Sequence, residues 1–159
     1  MQQITPEDKP SWLISSDDFR TARYLIAISS GDGVAELINE SESSRSMIEN
    51  VLYTQWEKQG VTFNEEKNNA YQLKVQLVTL LSEVEKGTVS DESDNNIVIK
   101  IQLTSDKKVF SKTFRSHSQE EFPFRASVDK LTEKLNTQLS QLLDQIVQDP
   151  ELNAKLLQL

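Results

Sequence analysis

The chain has 159 residues, 17 basic and 25 acidic side chains, one histidine and no cysteine, for a formal charge of −8. That length suits one domain, able to withdraw roughly two-thirds of its unfolded surface from water. The composition excludes disulfides, thiolate metal sites, cysteine nucleophiles and any multi-histidine metal site within one chain, and the acidic balance argues against general nucleic-acid binding.

Residues 1–18 read as a flexible tether. They carry Pro6, Pro10 and the polar run Ser15-Ser16-Asp17-Asp18, with Trp12, Leu13 and Ile14 as their main apolar content. Trp12 either fastens this arm to the domain or stands exposed near a membrane or partner. Met1 is followed by Gln-Gln-Ile-Thr-Pro, without the basic and apolar regions of a signal peptide. Either the protein is cytosolic or a leader has been removed. No apolar run approaches the roughly 18–20 residues of a membrane span.

Residues 22–29 and 34–39 read as a hairpin around Gly31-Asp32-Gly33. Met47, Ile48, Val51, Leu52 and Trp56 share one helical face, with Ser43 or Ser44 as N-cap and Gly60 as the terminating residue. Residues 61–63 follow as a short strand. Residues 70–84 alternate as a long strand, with Tyr71, Leu73, Val75, Leu77, Thr79 and Leu81 on one face. Val78 and Leu80 break that pattern and predict a bulge. Residues 85–96 are polar and acidic and read as a loop. Residues 97–103 form the next strand, and 109–117 a poorer one in which Lys112, between Phe110 and Phe114, suggests a sheet edge. Ser127 opens a helix whose stripe runs from Val128 to Val147, and Asp149-Pro150 starts a short final helix.

Strands with one apolar face need a cover, and helices with one apolar stripe need a floor. The expected fold is therefore α+β: a two-layer sandwich with a twisted, mainly antiparallel sheet of five to six strands and two main helices on one face. Residues 19–159 form the single domain. Gln72, Lys74, Gln76, Lys100 and Gln102 lie on the wet face.

His117 sits between Ser116 and Ser118, which point away from it on a strand, so it reads as a surface histidine rather than a base in a triad. Asp91-Glu92-Ser93-Asp94 lacks the spacing of a calcium loop, and Gly31-Asp32-Gly33 lacks the context of a phosphate loop. No catalytic, cofactor or metal residue is assigned. Lys100, Lys107, Lys108, Lys112 and Arg115 gather in one hairpin near the acidic run 83–94. With Trp12 they form the candidate interaction surface, toward an anionic headgroup, an acidic partner or a glycan. Solvated lysines guarding an edge hairpin give the plainer reading.

In combination, several features resemble the YajG family of small bacterial envelope lipoproteins. They are Asp18-Phe19-Arg20 before the Gly-Asp-Gly hairpin, Met47-Ile48-Glu49-Asn50-Val51-Leu52, the helix exit Lys58-Gln59-Gly60-Val61, Tyr71-Gln72-Leu73-Lys74-Val75, Lys86-Gly87, and Gln148-Asp149-Pro150-Glu151. The resemblance runs from about Phe19 to the end. It implies a Gram-negative lipoprotein whose lipidated cysteine precedes this sequence, with Met1 as an added start. It further implies a membrane anchor, a place on the periplasmic face of the outer membrane, and a non-enzymatic accessory or scaffold role toward another envelope protein. A soluble small-ligand carrier or a hydrolase, using Thr79, Lys74 and Lys100, is the alternative. Self-association through the edge strand at 109–114 or the Val78/Leu80 region, giving a homodimer, is a further expectation.

Overall fold

A computed structural model describes residues 9–31 and 33–158. Residues 1–8 of the expected tether, and Asp32 of the hairpin turn, lie outside the described residues. In chain order the elements are β1 (Ser11–Asp18), β2 (Tyr24–Ser30), β3 (Ala35–Asn39), α1 (Ser44–Lys58), β4 (Thr62–Phe63), β5 (Tyr71–Lys86), β6 (Asp91–Ser105), β7 (Lys108–Phe122), α2 (Val128–Gln148) and α3 (Pro150–Leu157). They form the expected α+β arrangement, with seven strands rather than five or six.

The three long strands carry the sheet. β5 pairs with β6 and β6 with β7, both antiparallel, over fifteen residue pairs each. The β6–β7 turn is tight: Asp106 and Lys107 both take positive φ, at 45° and 71°, as a two-residue I′ turn requires. On the other side of β5, two short strands lie end to end and parallel to it. β1 pairs with Gln72–Leu77 and β2 with Ser82–Lys86. β4 adds to β1 in parallel and β3 to β2 in an antiparallel hairpin.

Ser11–Asp18 is thus a strand, not a tether. Trp12 and Ile14 face the core, while Ser16 is satisfied by Arg45 Nη1, which donates to its Oγ at 2.6 Å. A strand with one apolar half and a parallel partner some sixty residues away leaves little local trace.

The bulge falls where the sequence breaks its pattern, with the β5 register shifting between Leu77 and Thr79. It reverses the strand's faces. Leu73, Val75 and Leu77 point to the core before it, and Leu80 and Val84 after it. Thr79 and Leu81 therefore leave the apolar row assigned to them. The expected loop at 85–96 is also corrected: only residues 87–90 turn, and β6 begins at Asp91. Its first inward residues are Asp91, Ser93 and Asn95, all buried. β7 likewise continues past His117 to Phe122.

The helices cover one face. α1 buries Ile48, Leu52 and Trp56, leaving Met47 exposed and Val51 half-buried. α2 buries Leu131, Leu135, Leu139, Leu142, Leu143, Ile146 and Val147. Ser43, Ser127 and Asp149 cap the three helices through side-chain oxygens, and Gly60 takes φ +97° after α1. Near the middle of β7, α2 meets a polar layer. Ser118 Oγ donates to Gln138 Oε1 at 2.7 Å, and Gln138 Nε2 donates to Ser116 Oγ at 3.0 Å.

Candidate functional site

The five cations of the hairpin do not form one patch, because alternation divides them. Lys100 and Arg115 lie on the open face of the sheet, beside Thr113 and Val98 respectively. Lys112 lies on the helix side, where its Nζ reaches Asp149 Oδ1 at 2.8 Å and Glu151 Oε2 at 3.5 Å. The hydrogen bond to Asp149 raises the Lys112 pKa. Lys107 and Lys108 stand at the hairpin tip. Thr79, Lys74 and Lys100 also share the open face but occupy different rows of it.

Trp12 is buried and fastens β1 to the last helix. Its indole N–H donates to the Leu156 carbonyl at 3.0 Å, and its ring meets Tyr71 edge-on at 5.3 Å. It also contributes to a groove of about 840 Å³ between α3 and the β6–β7 hairpin. Leu103, Val109, Phe110 and Ala154 line the apolar part of that groove, with Lys108, Lys155 and Glu151 among its charged residues.

His117 projects from the open face, its side chain 54% exposed, with Nε2 2.7 Å from Asp94 Oδ1. The hydrogen bond with His117 holds the Asp94 carboxyl below its ordinary value. Ser116 and Ser118 point to the opposite face, into the Gln138 layer. The imidazole is therefore paired with an acid but is not joined to either neighbouring hydroxyl.

The acidic run 83–94 is sorted by the same alternation. Asp91 turns inward, accepting from the Ala126 N–H at 3.0 Å and from Arg125 Nη1 at 3.4 Å. Glu83, Glu85, Glu92 and Asp94 remain outside, in rows Glu83–Asp94–Gln119 and Glu85–Glu92–Glu121. The open face is thus acidic at one end, with lysines toward the other. From Glu92 to Thr104 along β6 the ends are about 40 Å apart at the usual strand rise.

Direction along the sheet now matters. The chain enters at Ser11, and the row Leu13–Gln72–Thr104–Val109 places that entry beside the Lys107/Lys108 tip. The opposite end carries the β2–β3 turn, the β5–β6 turn and the exit from β7. Among the described residues the three most exposed large apolar side chains stand there, one on each: Val34 at 84%, Val89 at 84% and Phe124 at 87%. Sequence reasoning missed these three residues. Their only local signals are a lone valine in a four-residue turn and an aromatic directly after Pro123.

A buried ion cluster lies where β1 gives way to β2. Arg20 grips Asp18 through Nε–Oδ1 at 2.9 Å and Nη2–Oδ2 at 2.7 Å, and Nη2 also reaches Glu40 Oε2 at 2.9 Å. Glu40 in turn accepts from the Ser44 N–H at the start of α1. Hydrogen bonds from Arg20 lower the Asp18 pKa. Burial pushes Glu40 up, but its bonds with Ser44 and Arg20 outweigh that and leave it lowered. The cluster ties both halves of the broken strand and the first helix together.

Two solved structures show the same fold at low identity. A crystal structure of a DUF330 protein from Xanthomonas campestris matches with TM-score 0.65 at 13% identity, over 92% of this chain and 86% of that one. An uncharacterized protein matches with TM-score 0.53 at 11% identity, over 88% and 91%. A minor lipoprotein from Acinetobacter baumannii gives TM-score 0.48 at 13% identity, over 86% and 95%. No curated protein matches the sequence. The family model described as "Uncharacterized lipoprotein" matches residues 2–157. With nearly the whole chain matched, this protein belongs to that YajG-like family of lipoproteins.

Proposed function

We propose that this chain is the folded, non-enzymatic domain of a lipid-anchored protein on the periplasmic face of the outer membrane, where it serves as an accessory or scaffold for another envelope protein. The family match over residues 2–157 is the observation that carries this reading. The geometry supports display as its mechanism. A chain anchored ahead of Ser11 enters at the lysine-bearing end, and the sheet then holds the opposite end about 40 Å farther along β6. That far end offers Val34, Val89 and Phe124 on three loops, within a border that includes Glu85, Glu92 and Glu121.

The test is to express the gene with its native upstream reading frame and supply labelled palmitate. Label on the protein and recovery in the outer-membrane fraction are expected. An unlabelled, freely soluble protein overturns the reading.

A further inference from the structure

The groove between α3 and the β6–β7 hairpin has buried Leu103 and Trp12 in its floor, half-buried Phe110 and Ala154 as its apolar walls, and Val109, 60% exposed, at its edge. Lys155 Nζ hangs 5.1 Å above the Phe110 ring, and Lys108 stands on the same hairpin tip. Neither lysine has an ion-pair partner among the described residues, and the groove's acid, Glu151, lies 3.5 Å from Lys112. An apolar slot bearing two uncommitted cations is chemically matched to an amphiphile with an anionic head.

Position selects among amphiphiles. The groove opens at the end where the chain enters, beside Ser11 and the Lys107/Lys108 tip. In a protein anchored ahead of Ser11 that end meets the bilayer first, so the groove faces phospholipid. We propose that it takes one acyl chain of an anionic membrane phospholipid, with Lys108 and Lys155 on the headgroup and Phe110, Ala154 and Val109 against the chain, above buried Trp12 and Leu103. Its volume of about 840 Å³ falls within the usual range for ligand sites. The membrane-facing orientation rests on the anchored reading above. The groove's chemistry does not, and it can be measured on protein that carries no lipid.

Trp12 supplies the probe. The chain's other tryptophan, Trp56, is buried as Trp12 is but does not line the groove, and its Nε1 has no hydrogen-bond partner. Trp56→Phe therefore leaves Trp12 as the sole tryptophan without breaking a hydrogen bond. This variant of the full chain is mixed with vesicles of phosphatidylglycerol and phosphatidylcholine whose acyl chains carry bromine, a contact quencher, with unbrominated vesicles as reference. Bromine-dependent quenching of Trp12 is expected with phosphatidylglycerol present and not with phosphatidylcholine alone. Lys108→Glu with Lys155→Glu should raise the lipid concentration for half-quenching by at least about tenfold, as expected for reversing two cations at an anionic surface. Lys155→Gln alone should raise it by less, with an unchanged circular dichroism spectrum. Vesicle binding without bromine-dependent quenching would overturn the groove assignment, because it would show adsorption by surface charge only. Equal quenching with both lipids, or none with either, would overturn it too. Palmitate labelling is independent of all these outcomes, so a failed groove and a failed anchor are told apart.

Discussion

Arg20→Met is the perturbation that most directly tests how this fold is held. The guanidinium makes two hydrogen bonds to Asp18 and one to Glu40, and its side chain is buried. Methionine keeps much of the apolar stem but leaves two carboxylates facing each other, with only the exposed Arg23, 3.8 Å from Asp18 Oδ2, as a cation. Removing one partner of a fully buried ion pair costs about 3–5 kcal/mol. Asp18 and Glu40 retain some contact with water, and Arg20 Nη1 has no partner to lose. The expected loss is therefore near the lower bound, about 3 kcal/mol. For a domain of this size that lowers Tm by about 6–12 °C. Urea denaturation followed by tryptophan emission reads it directly. Glu40→Gln, which keeps an oxygen for the Ser44 N–H, should cost only about 1 kcal/mol. Arg20→Met costing under about 1 kcal/mol, or no more than Glu40→Gln, would refute the claim that this cluster clamps the broken strand.

Further outcomes follow from the same geometry. Asp18 and Glu40 are both held below the ordinary carboxylate range, so their contribution is present above about pH 4.5 and disappears as pH falls through their lower folded values. Unfolding curves of the parent and Arg20→Met should accordingly converge in acid and separate at neutral pH. Trp12→Phe and Trp56→Phe lose the same buried volume, but Trp12→Phe also deprives the Leu156 carbonyl of its donor and should cost about 1–2 kcal/mol more; chemical denaturation ranks the two. Gly87→Ala drives a Cβ into the Ser90 carbonyl oxygen and should destabilise by about 1–3 kcal/mol, while Gly31→Ala meets open space and should be nearly neutral by thermal melt. Gln138→Leu strips partners from Ser116 and Ser118 and should cost about 2 kcal/mol in the same denaturation assay.

The helices and the β5 bulge were legible because each is written in local periodicity. Leu131 to Val147 repeats as a helix must, and Val78 interrupts an alternation that is otherwise strict. The ends of the long strands were not legible, for the opposite reason. Glu83 faces Asp94 and Glu85 faces Glu92, pairings that local preference disfavours. The inward row there is Asp91, Ser93 and Asn95 rather than valine or isoleucine. Those residues follow the register set by Ile97–Leu103, and Asp91 is made tolerable by the Ala126 N–H, information that sits over thirty residues away. Of the candidate surface, the hairpin lysines were found but not their separation, since Lys112 is turned toward Asp149 while Lys100 and Arg115 face outward. Trp12 stands outside any periodic pattern in the sequence, and the structure buries it against α3. Its partner at Leu156 could be seen only in three dimensions.

The direction of β1 has a mechanical consequence. Tension arriving from upstream of Ser11 acts along the strand axis, so the six paired positions from Leu13 to Asp18 are loaded in shear together rather than unpeeled one at a time. At the far end of that strand the Arg20 grip takes up whatever sliding begins, and at the near end the Trp12 indole would have to tear free of α3. An axial pull on the strand is thus shared by bonds in parallel, the arrangement by which a short ribbon withstands a force that would readily unzip the same contacts in sequence.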